Sequence, residues 1–195
     1  MRSANITRKT KETDIEVNLN LDGKGSSSVN TGIGFFDHML TGFSKHGFFD
    51  LDMKCKGDIF VDGHHTVEDC GIVLGDAIKE AVGDKKGICR FGSFILPMDD
   101  ALVLCSIDLC GRPYYSCDAS FNEEKCGDFE TTLVNEFFYS ISYSAMMNIH
   151  FKVLSGNNAH HIIEAMFKAF AKALDIATGF DARNEGNVPS TKGAL

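Results

Sequence analysis

Two copies of the pattern His-His-x-x-Glu are the residues of this chain whose types and spacing point most directly to chemistry. On a helix, residues three and four positions apart share a face, so each glutamate lies beside its two histidines. Adjacent histidines project about 100° apart, so a pair can serve two metal ions or two sides of one site. Imidazole and carboxylate without thiolate suit Mn, Fe, Ni or Zn rather than a structural zinc ribbon. The candidate ligands are His64, His65 and Glu68 in the first copy and His160, His161 and Glu164 in the second.

A single pair of adjacent histidines more often caps a helix or lines a polar surface than binds metal. The two copies here stand at equivalent positions of an internal repeat, which favours metal. A shift of 96 residues superimposes the two motifs and also maps Ala77 to Ala173, Ile78 to Leu174, Ala81 to Ala177 and Gly83 to Gly179.

The repeat adds two further ligand candidates upstream. A shift of 98 residues maps His38 onto Glu136. His38 alone would more often be a core histidine, but its counterpart is another good ligand for a hard metal. Four ligands from each half suit two ions that keep positions open for substrate. His46 and His150 lack such support, and we assign them structural or surface roles.

Apolar periodicity defines the elements that must position these ligands. Alternation predicts strands, and 3.6-residue spacing predicts helices that end near Gly47, Gly83 and Gly179. We predict an α+β fold in which a sheet-plus-two-helices unit is duplicated in tandem, as residues 1–93 and 94–195, and packed into one compact body. The predicted strands are 14–21, 27–30, 49–55, 102–109, 114–117 and 148–154, and the helices are 35–45, 66–82, 133–147 and 161–177.

The composition narrows the class of protein. The net charge of −8 argues against a nucleic-acid surface. No apolar run approaches the roughly 20 residues that span a bilayer, and residues 1–12 show no signal-peptide core. Seven cysteines without a CxxC pair predict reduced thiols. A cytoplasmic enzyme is the expectation.

Several cationic and hydroxyl side chains could bind a phosphate group. Each of them is individually a common surface feature. Together they could form a phosphate clamp, although their spacing does not show that they converge. The candidates are Arg90, Arg112, Lys168, Ser190 and Lys192.

The same motifs, in the same order, resemble the imidazoleglycerol-phosphate dehydratase family. The resemblance covers nearly the whole chain from about Thr7 onward. It is carried by FFDHML (35–40), DGHHTVED (62–69), RFG (90–92), PMDDAL (97–102), DLCGRP (108–113), NAHHIIEAMFKAFAKAL (158–174) and PSTKG (189–193).

The resemblance implies a lyase of histidine biosynthesis that dehydrates imidazole glycerol phosphate to imidazole acetol phosphate. It implies two Mn ions per active site, and a homo-oligomer of 24 subunits with its active sites at subunit interfaces. Some members carry His where this chain has Glu136. The implied metal ligands are His38, His64, His65, Glu68, Glu136, His160, His161 and Glu164, and the implied substrate contacts are Glu12, Arg90, Arg112, Lys168, Ser190 and Lys192.

A proton must leave a carbon atom of the substrate during this reaction. A carboxylate is too weak a base to deprotonate an unactivated C–H. The resemblance therefore implies that cations on the ring nitrogens stabilise the imidazolate form of the substrate, which loses its hydroxyl and makes the next C–H more acidic. Glu12 is the expected acid/base group, with Glu164 or a metal-bound water as the alternative. Two rival functions stay open: a dinuclear metallohydrolase of a phosphate ester, and a metal-storing assembly without turnover.

Overall fold

The computed structural model describes residues 2–193 and 195, and it confirms a duplicated α+β architecture. Each half contains the order strand, strand, strand, helix, strand, helix, and the second half inserts a short two-stranded hairpin before its first helix. The first half contains β1 (Ser3–Lys9), β2 (Thr13–Asn20), β3 (Ser27–Asn30), α1 (Gly34–Gly47), β4 (Asp50–Gly57) and α2 (His64–Val82). The second contains β5 (Phe91–Met98), β6 (Ala101–Asp108), β7 (Tyr114–Asp118), β8 (Lys125–Cys126), β9 (Phe129–Glu130), α3 (Leu133–Ala145), β10 (Asn148–Ser155) and α4 (Ala159–Thr178).

The two main sheets share one topology. Their strand orders are β1-β2-β4-β3 and β5-β6-β10-β7. In each sheet the last pair is parallel and the other pairs are antiparallel. The edge strands β1 and β5 were absent from the prediction. In β1 the only aliphatic residues are Ala4 and Ile6, and β5 contains Gly92 and Pro97, which an edge strand tolerates.

The element order also locates the junction between the halves. Since β5 is the counterpart of β1, we place the junction in residues 83–90, between α2 and β5. The predicted division after residue 93 falls inside β5, where the Gly and Pro residues hid the strand from the pattern.

The helices lie between the sheets and pack across the halves: α1 against α4, and α2 against α3. Phe36 of α1 lies edge-on to Phe137 of α3, with ring centroids 5.1 Å apart, and Phe137 stacks on Phe167 of α4 at 5.2 Å. All three rings are buried. Such aromatic pairs add about 0.5–1.5 kcal/mol each beyond their buried area. The single hydrophobic core therefore joins both halves.

Two glycines let α2 approach α3 closely. A Cβ at Gly71 would stand 2.7 Å from the carbonyl oxygen of Phe137, and one at Gly75 would stand 2.7 Å from the Cβ of Ser144. Neither distance is sterically tolerable, so the glycines fix how α2, which begins with the first histidine motif, sits on the second half.

The N-terminus of α1 is capped from a distant segment. Asp128, in the turn between β8 and β9, accepts hydrogen bonds from the backbone N–H groups of Gly34 (2.8 Å) and Phe35 (3.2 Å). These groups lack intrahelical partners, and the carboxylate also complements the helix dipole. The second half thereby anchors the helix that carries His38. No helix among the described residues has the length and apolarity to cross a membrane.

Candidate metal centre and active site

Three of the predicted ligands meet where α1 packs against α4. His38 lies in α1, and His160 and Glu164 lie one turn apart in α4. Their candidate donor atoms all lie within 4.8 Å of one another. The Nε2 atoms of His160 and His38 lie 3.2 Å and 3.9 Å from the two carboxylate oxygens of Glu164. The set draws ligands from both halves of the chain.

Glu164 is buried, yet its environment favours the carboxylate. Burial raises the pKa of Glu164, but the Lys168 ammonium and the two histidines outweigh that effect and hold the pKa below its usual value. Lys168 Nζ lies 2.7 Å from Glu164 Oε1 and also points at the sulfur of Met98, at 3.6 Å. The lysine predicted to share the face of Glu164 therefore contacts it.

The donor set of this cluster fits a divalent cation. It combines two imidazoles, which bind metal in their neutral form, with one ionised carboxylate. This combination is typical of Mn, Fe and Zn sites. The imidazole rings of His38 and His160 are exposed while Glu164 lies beneath them. Three ligands on an open surface leave coordination positions for further groups.

The ligand set that the repeat relates to this cluster is less complete within one chain. His64 Nε2 lies 4.0 Å from Glu68 Oε2 at the start of α2. Glu136, which the repeat makes the counterpart of His38, lies in α3 beside Tyr115 and Tyr139 in a cavity of about 360 Å³. Over residues 2–193 and 195, no histidine nitrogen lies within 4.0 Å of the Glu136 carboxylate.

The second histidine of each motif faces carboxylates rather than its own glutamate. His65 Nδ1 lies 3.0 Å from Asp58, and His161 Nδ1 lies 2.7 Å from Asp100. These hydrogen bonds, with smaller contributions from nearby carboxylates, raise the pKa of both histidines. The sequence prediction missed Asp58 and Asp100; the PMDDAL segment, already quoted for the resemblance, was the one available signal for the latter.

The Nε2 atoms of these histidines face a second pair of carboxylates. Glu12 Oε1 lies 3.9 Å from His65 Nε2, and Asp99 Oδ2 lies 3.6 Å from His161 Nε2. Glu12 stands in the β1–β2 turn and Asp99 in the corresponding β5–β6 turn. Sequence spacing gave no sign that Glu12 approaches a histidine, because strand pairing and not local periodicity brings them together.

A polar network fixes the turn that carries Glu12. The hydroxyl oxygen of Thr10 accepts hydrogen bonds from the backbone N–H groups of Glu12 (3.1 Å) and Thr13 (2.9 Å). The Thr13 hydroxyl in turn donates to the buried carboxylate of Asp69 in α2, which also pairs with Arg8. The network ties Glu12 to the helix that bears His65.

The phosphate-binding candidates other than Lys168 gather at one end of the second sheet. Arg90 donates to both carboxylate oxygens of Asp108 (2.7 and 3.2 Å) and to the carbonyl oxygen of Pro189 (2.8 Å). The hydroxyl of Ser190 accepts the N–H of Lys192 at 3.2 Å. Farther along, a Cβ at Gly111 would stand 2.8 Å from the carboxyl carbon of Leu195. The tail thus runs from Arg90 to the turn that holds Arg112.

This cationic group does not meet the metal ligands within one chain. Arg90 precedes β5 and Asp99 follows it, and the strand has 8 residues. At about 3.3 Å per residue the two ends of β5 are roughly 26 Å apart. Lys168 alone of the cationic candidates lies beside a predicted ligand.

The two remaining histidines differ from each other. Half-buried His46, in the last turn of α1, has its pKa lowered by burial and by the nearby ammonium groups of Lys168 and Lys172. It therefore borders the cluster, and its assignment to a structural or surface role stays a prediction. His150 stacks on Tyr114 at 5.3 Å on the outer face of the second sheet.

Comparison with known proteins gives one consistent result. Residues 31–174 match the family model for imidazoleglycerol-phosphate dehydratase. The chain is 64% identical over 194 residues to imidazoleglycerol-phosphate dehydratase of Lachnoclostridium phytofermentans, covering 100% of this chain and 98% of that one. It is 59% identical to the enzyme of the same name from Acetivibrio thermocellus, with 100% and 99% covered.

Solved structures agree with the sequence relatives. The crystal structure of imidazoleglycerol-phosphate dehydratase from Staphylococcus aureus matches with a TM-score of 0.83 and 39% identity, covering 92% of this chain and 99% of that one. IGPD from Pyrococcus furiosus in complex with (S)-C348 matches with a TM-score of 0.84 and 39% identity, covering 97% and 100%. The chain therefore belongs to the imidazoleglycerol-phosphate dehydratase family, whose enzymes are hydro-lyases.

Proposed function

We propose that this chain is a manganese-dependent hydro-lyase that dehydrates imidazole glycerol phosphate to imidazole acetol phosphate in the cytoplasm, as a step of histidine biosynthesis. The observation that carries the proposal is the cluster of His38, His160 and Glu164, whose donor atoms lie within 4.8 Å of one another in a chain of this family. The ligand chemistry supports a metal-dependent reaction, and family membership supports the dehydration of this substrate.

We assign one ion to His38, His160 and Glu164, completed by a histidine of the other motif. We assign the second ion to His64 and Glu68 together with Glu136, the residue that the repeat relates to His38. Bound to the imidazole ring of the substrate, the cations would stabilise its deprotonated form and so promote loss of the neighbouring hydroxyl.

Glu12 is our candidate for moving the proton. Its side chain is 53% exposed, so solvent and substrate can reach Oε1. The hydrogen bonds that the Thr10 hydroxyl accepts from Glu12 and Thr13 hold the turn in place, which supports a role as a positioned general base. Glu164 is the alternative, but its contacts with Lys168 and two histidines already occupy both of its oxygens.

The separation of the cationic group from the ligands supports a site shared between subunits. A substrate of this size cannot span the roughly 26 Å that the strand β5 sets between Arg90 and Asp99. We therefore propose that Arg90, Arg112, Ser190 and Lys192 serve a metal centre of a neighbouring subunit. The 24-subunit assembly implied by the family resemblance provides such neighbours.

Product analysis tests the proposed function against its rivals. The protein is purified, freed of metal by a chelator, reloaded with Mn and incubated with imidazole glycerol phosphate. A new ketone with the phosphate ester intact supports the lyase. Release of free phosphate indicates a metallohydrolase, and metal binding without turnover indicates a storage protein.

A further inference from the structure

Each motif's second histidine has its Nδ1 atom held by an aspartate from outside the motif. Asp58, in the loop before α2, lies 3.0 Å from His65 Nδ1, and Asp100, in the β5–β6 turn, lies 2.7 Å from His161 Nδ1. Both distances are within hydrogen-bonding range. In each ring the Nε2 atom is left facing away from the aspartate.

A carboxylate can only accept hydrogen bonds, so it selects the ring form with the proton on Nδ1. In a neutral imidazole the other nitrogen then carries a lone pair. We propose that Asp58 and Asp100 are positioning residues that fix the tautomer and orientation of His65 and His161, so that each ring presents Nε2 to a divalent cation. The inference rests on the proposed metal-dependent function, and it concerns residues that are not ligands themselves.

The internal repeat does not explain why both histidines have such an aspartate, because Asp58 and Asp100 do not occupy equivalent positions in the two halves. Under the shifts of 96 and 98 residues that relate the halves, Asp58 corresponds to the segment 154–156, which reads Leu-Ser-Gly. Under the shift of 88 residues that relates β2 to β6, Asp100 corresponds to Glu12, which faces Nε2 of His65 instead of Nδ1. The fold therefore supplies a carboxylate to the same atom from two unrelated positions.

The surroundings of the two aspartates differ in a way that makes the inference testable. The second oxygen of Asp100 accepts the backbone N–H groups of Asn157 (2.7 Å) and Asn158 (3.2 Å). In the described part of the chain, the Asp58 carboxylate has His65 as its one hydrogen-bond partner. Substitution by asparagine should therefore weaken metal binding at Asp100 and have little effect on it at Asp58.

In Asp100→Asn the amide oxygen must stay with the two backbone N–H groups, so the amide NH₂ points at His161. The ring then accepts a hydrogen bond at Nδ1 and carries its proton on Nε2. The Nε2 atom therefore has no lone pair left with which to bind a metal. In Asp58→Asn the amide is free to rotate, and its oxygen still accepts from His65 Nδ1–H. Asp58→Ala removes the acceptor altogether.

The experiment titrates Mn into chelator-treated oligomer and measures the number of ions bound and their affinities. We expect Asp100→Asn and Asp58→Ala to weaken one class of site by about 10–100-fold, the scale for losing such partners. Asp58→Asn should change the affinity less than about threefold, like the distant control Asp118→Asn. Thermal melts of the metal-free variants verify folding. If Asp100→Asn fails to fold, the comparison of Asp58→Asn with Asp58→Ala decides alone.

Unchanged Mn affinity in Asp100→Asn and Asp58→Ala would overturn the inference, as would equal losses in Asp58→Asn and Asp58→Ala. If the unsubstituted protein binds Mn normally, neither of these results contradicts the proposed function. Absence of Mn binding by the unsubstituted protein would instead overturn the metal-dependent function, and the positioning role with it.

Discussion

Lys168 and Glu164 form an ion pair one helical turn apart, with Nζ 2.7 Å from Oε1, and both side chains are largely buried. The pair places a cation directly behind a candidate metal ligand. It keeps Glu164 ionised in the metal-free protein, where burial alone would raise the pKa of this carboxyl. The lysine therefore has a measurable electrostatic role apart from any contact with substrate.

Replacing Lys168 with Met should lower the stability of the metal-free protein at neutral pH by about 1–3 kcal/mol, because a buried carboxylate loses its partner. The lowered pKa of Glu164 stabilises the fold above the ordinary glutamate pKa, and this stabilisation is lost as pH falls through the lower folded-state pKa. The deficit of Lys168→Met should therefore shrink toward pH 4 and below. Urea unfolding at several pH values measures it, and a deficit that does not depend on pH would contradict the argument. Lys172→Met, which removes a cation over the Phe48 ring, is the matched control.

Replacing Glu12 with Gln should reduce turnover by about 100-fold or more, the usual scale for loss of a general base, while Mn content stays normal. The change preserves volume and hydrogen-bonding reach but removes the ability to take up a proton. Glu16→Gln, on the exposed face of β2, is the control. Glu68→Gln, by contrast, should lose metal and activity together. Near-normal turnover in Glu12→Gln would show that Glu12 is not the general base, and Glu164 would become the leading candidate.

Replacing Thr13 with Val should lower turnover about tenfold or more at unchanged Mn stoichiometry, since misplacing a reacting group by a fraction of an ångström is costly. Valine has nearly the same shape but cannot donate to Asp69, so the turn of Glu12 loses its tie to α2. Thr13→Ser restores the hydroxyl and should recover most of the activity. Equal activities of the Val and Ser variants would show that this hydrogen bond does not position Glu12.

Replacing Arg90, Arg112 or Lys192 with Ala should mainly raise KM, because a phosphate contact is shared by the ground and transition states. Steady-state kinetics measures the effect. A fall in kcat at constant KM would assign these side chains to the chemical step instead.

Mixing two variants that are each nearly inactive at a substrate concentration well below the raised KM of Arg90→Ala tests whether the site is shared between subunits. Arg90→Ala and Glu164→Gln subunits, unfolded and reassembled together in equal amounts, should regain activity up to roughly one quarter of the normal level, since random closed assembly pairs an intact metal centre with an intact clamp in about one site of four. Each variant reassembled alone is the control. No recovery in the mixture would place both groups in the same subunit's site.

The sequence predicted that His38, His160 and Glu164 belong to one site, and their donor atoms do lie together, but it did not predict the residues that hold the histidines. The histidine motifs and His38 stand out because residue type, helical spacing and the repeat can be read from the sequence without knowledge of the fold. Asp58, Asp100 and Asp128 act through contacts that β-turns and packed helices create, and an aspartate in a polar loop carries no local mark of such a contact. The pairing of His38 with Glu164, 126 positions later, likewise depends on α1 meeting α4.

The crossed packing of the helices has a consequence for how such a chain could arise. The first helix of each half packs on the second helix of the other, α1 on α4 and α3 on α2. Reciprocal contacts of this kind are the signature of an isologous interface about a twofold axis. Two identical half-length chains could make them as a homodimer, and each would complete its partner's ion site. Gene fusion of such a dimer would then free the two copies to diverge, as His38 and Glu136 have done.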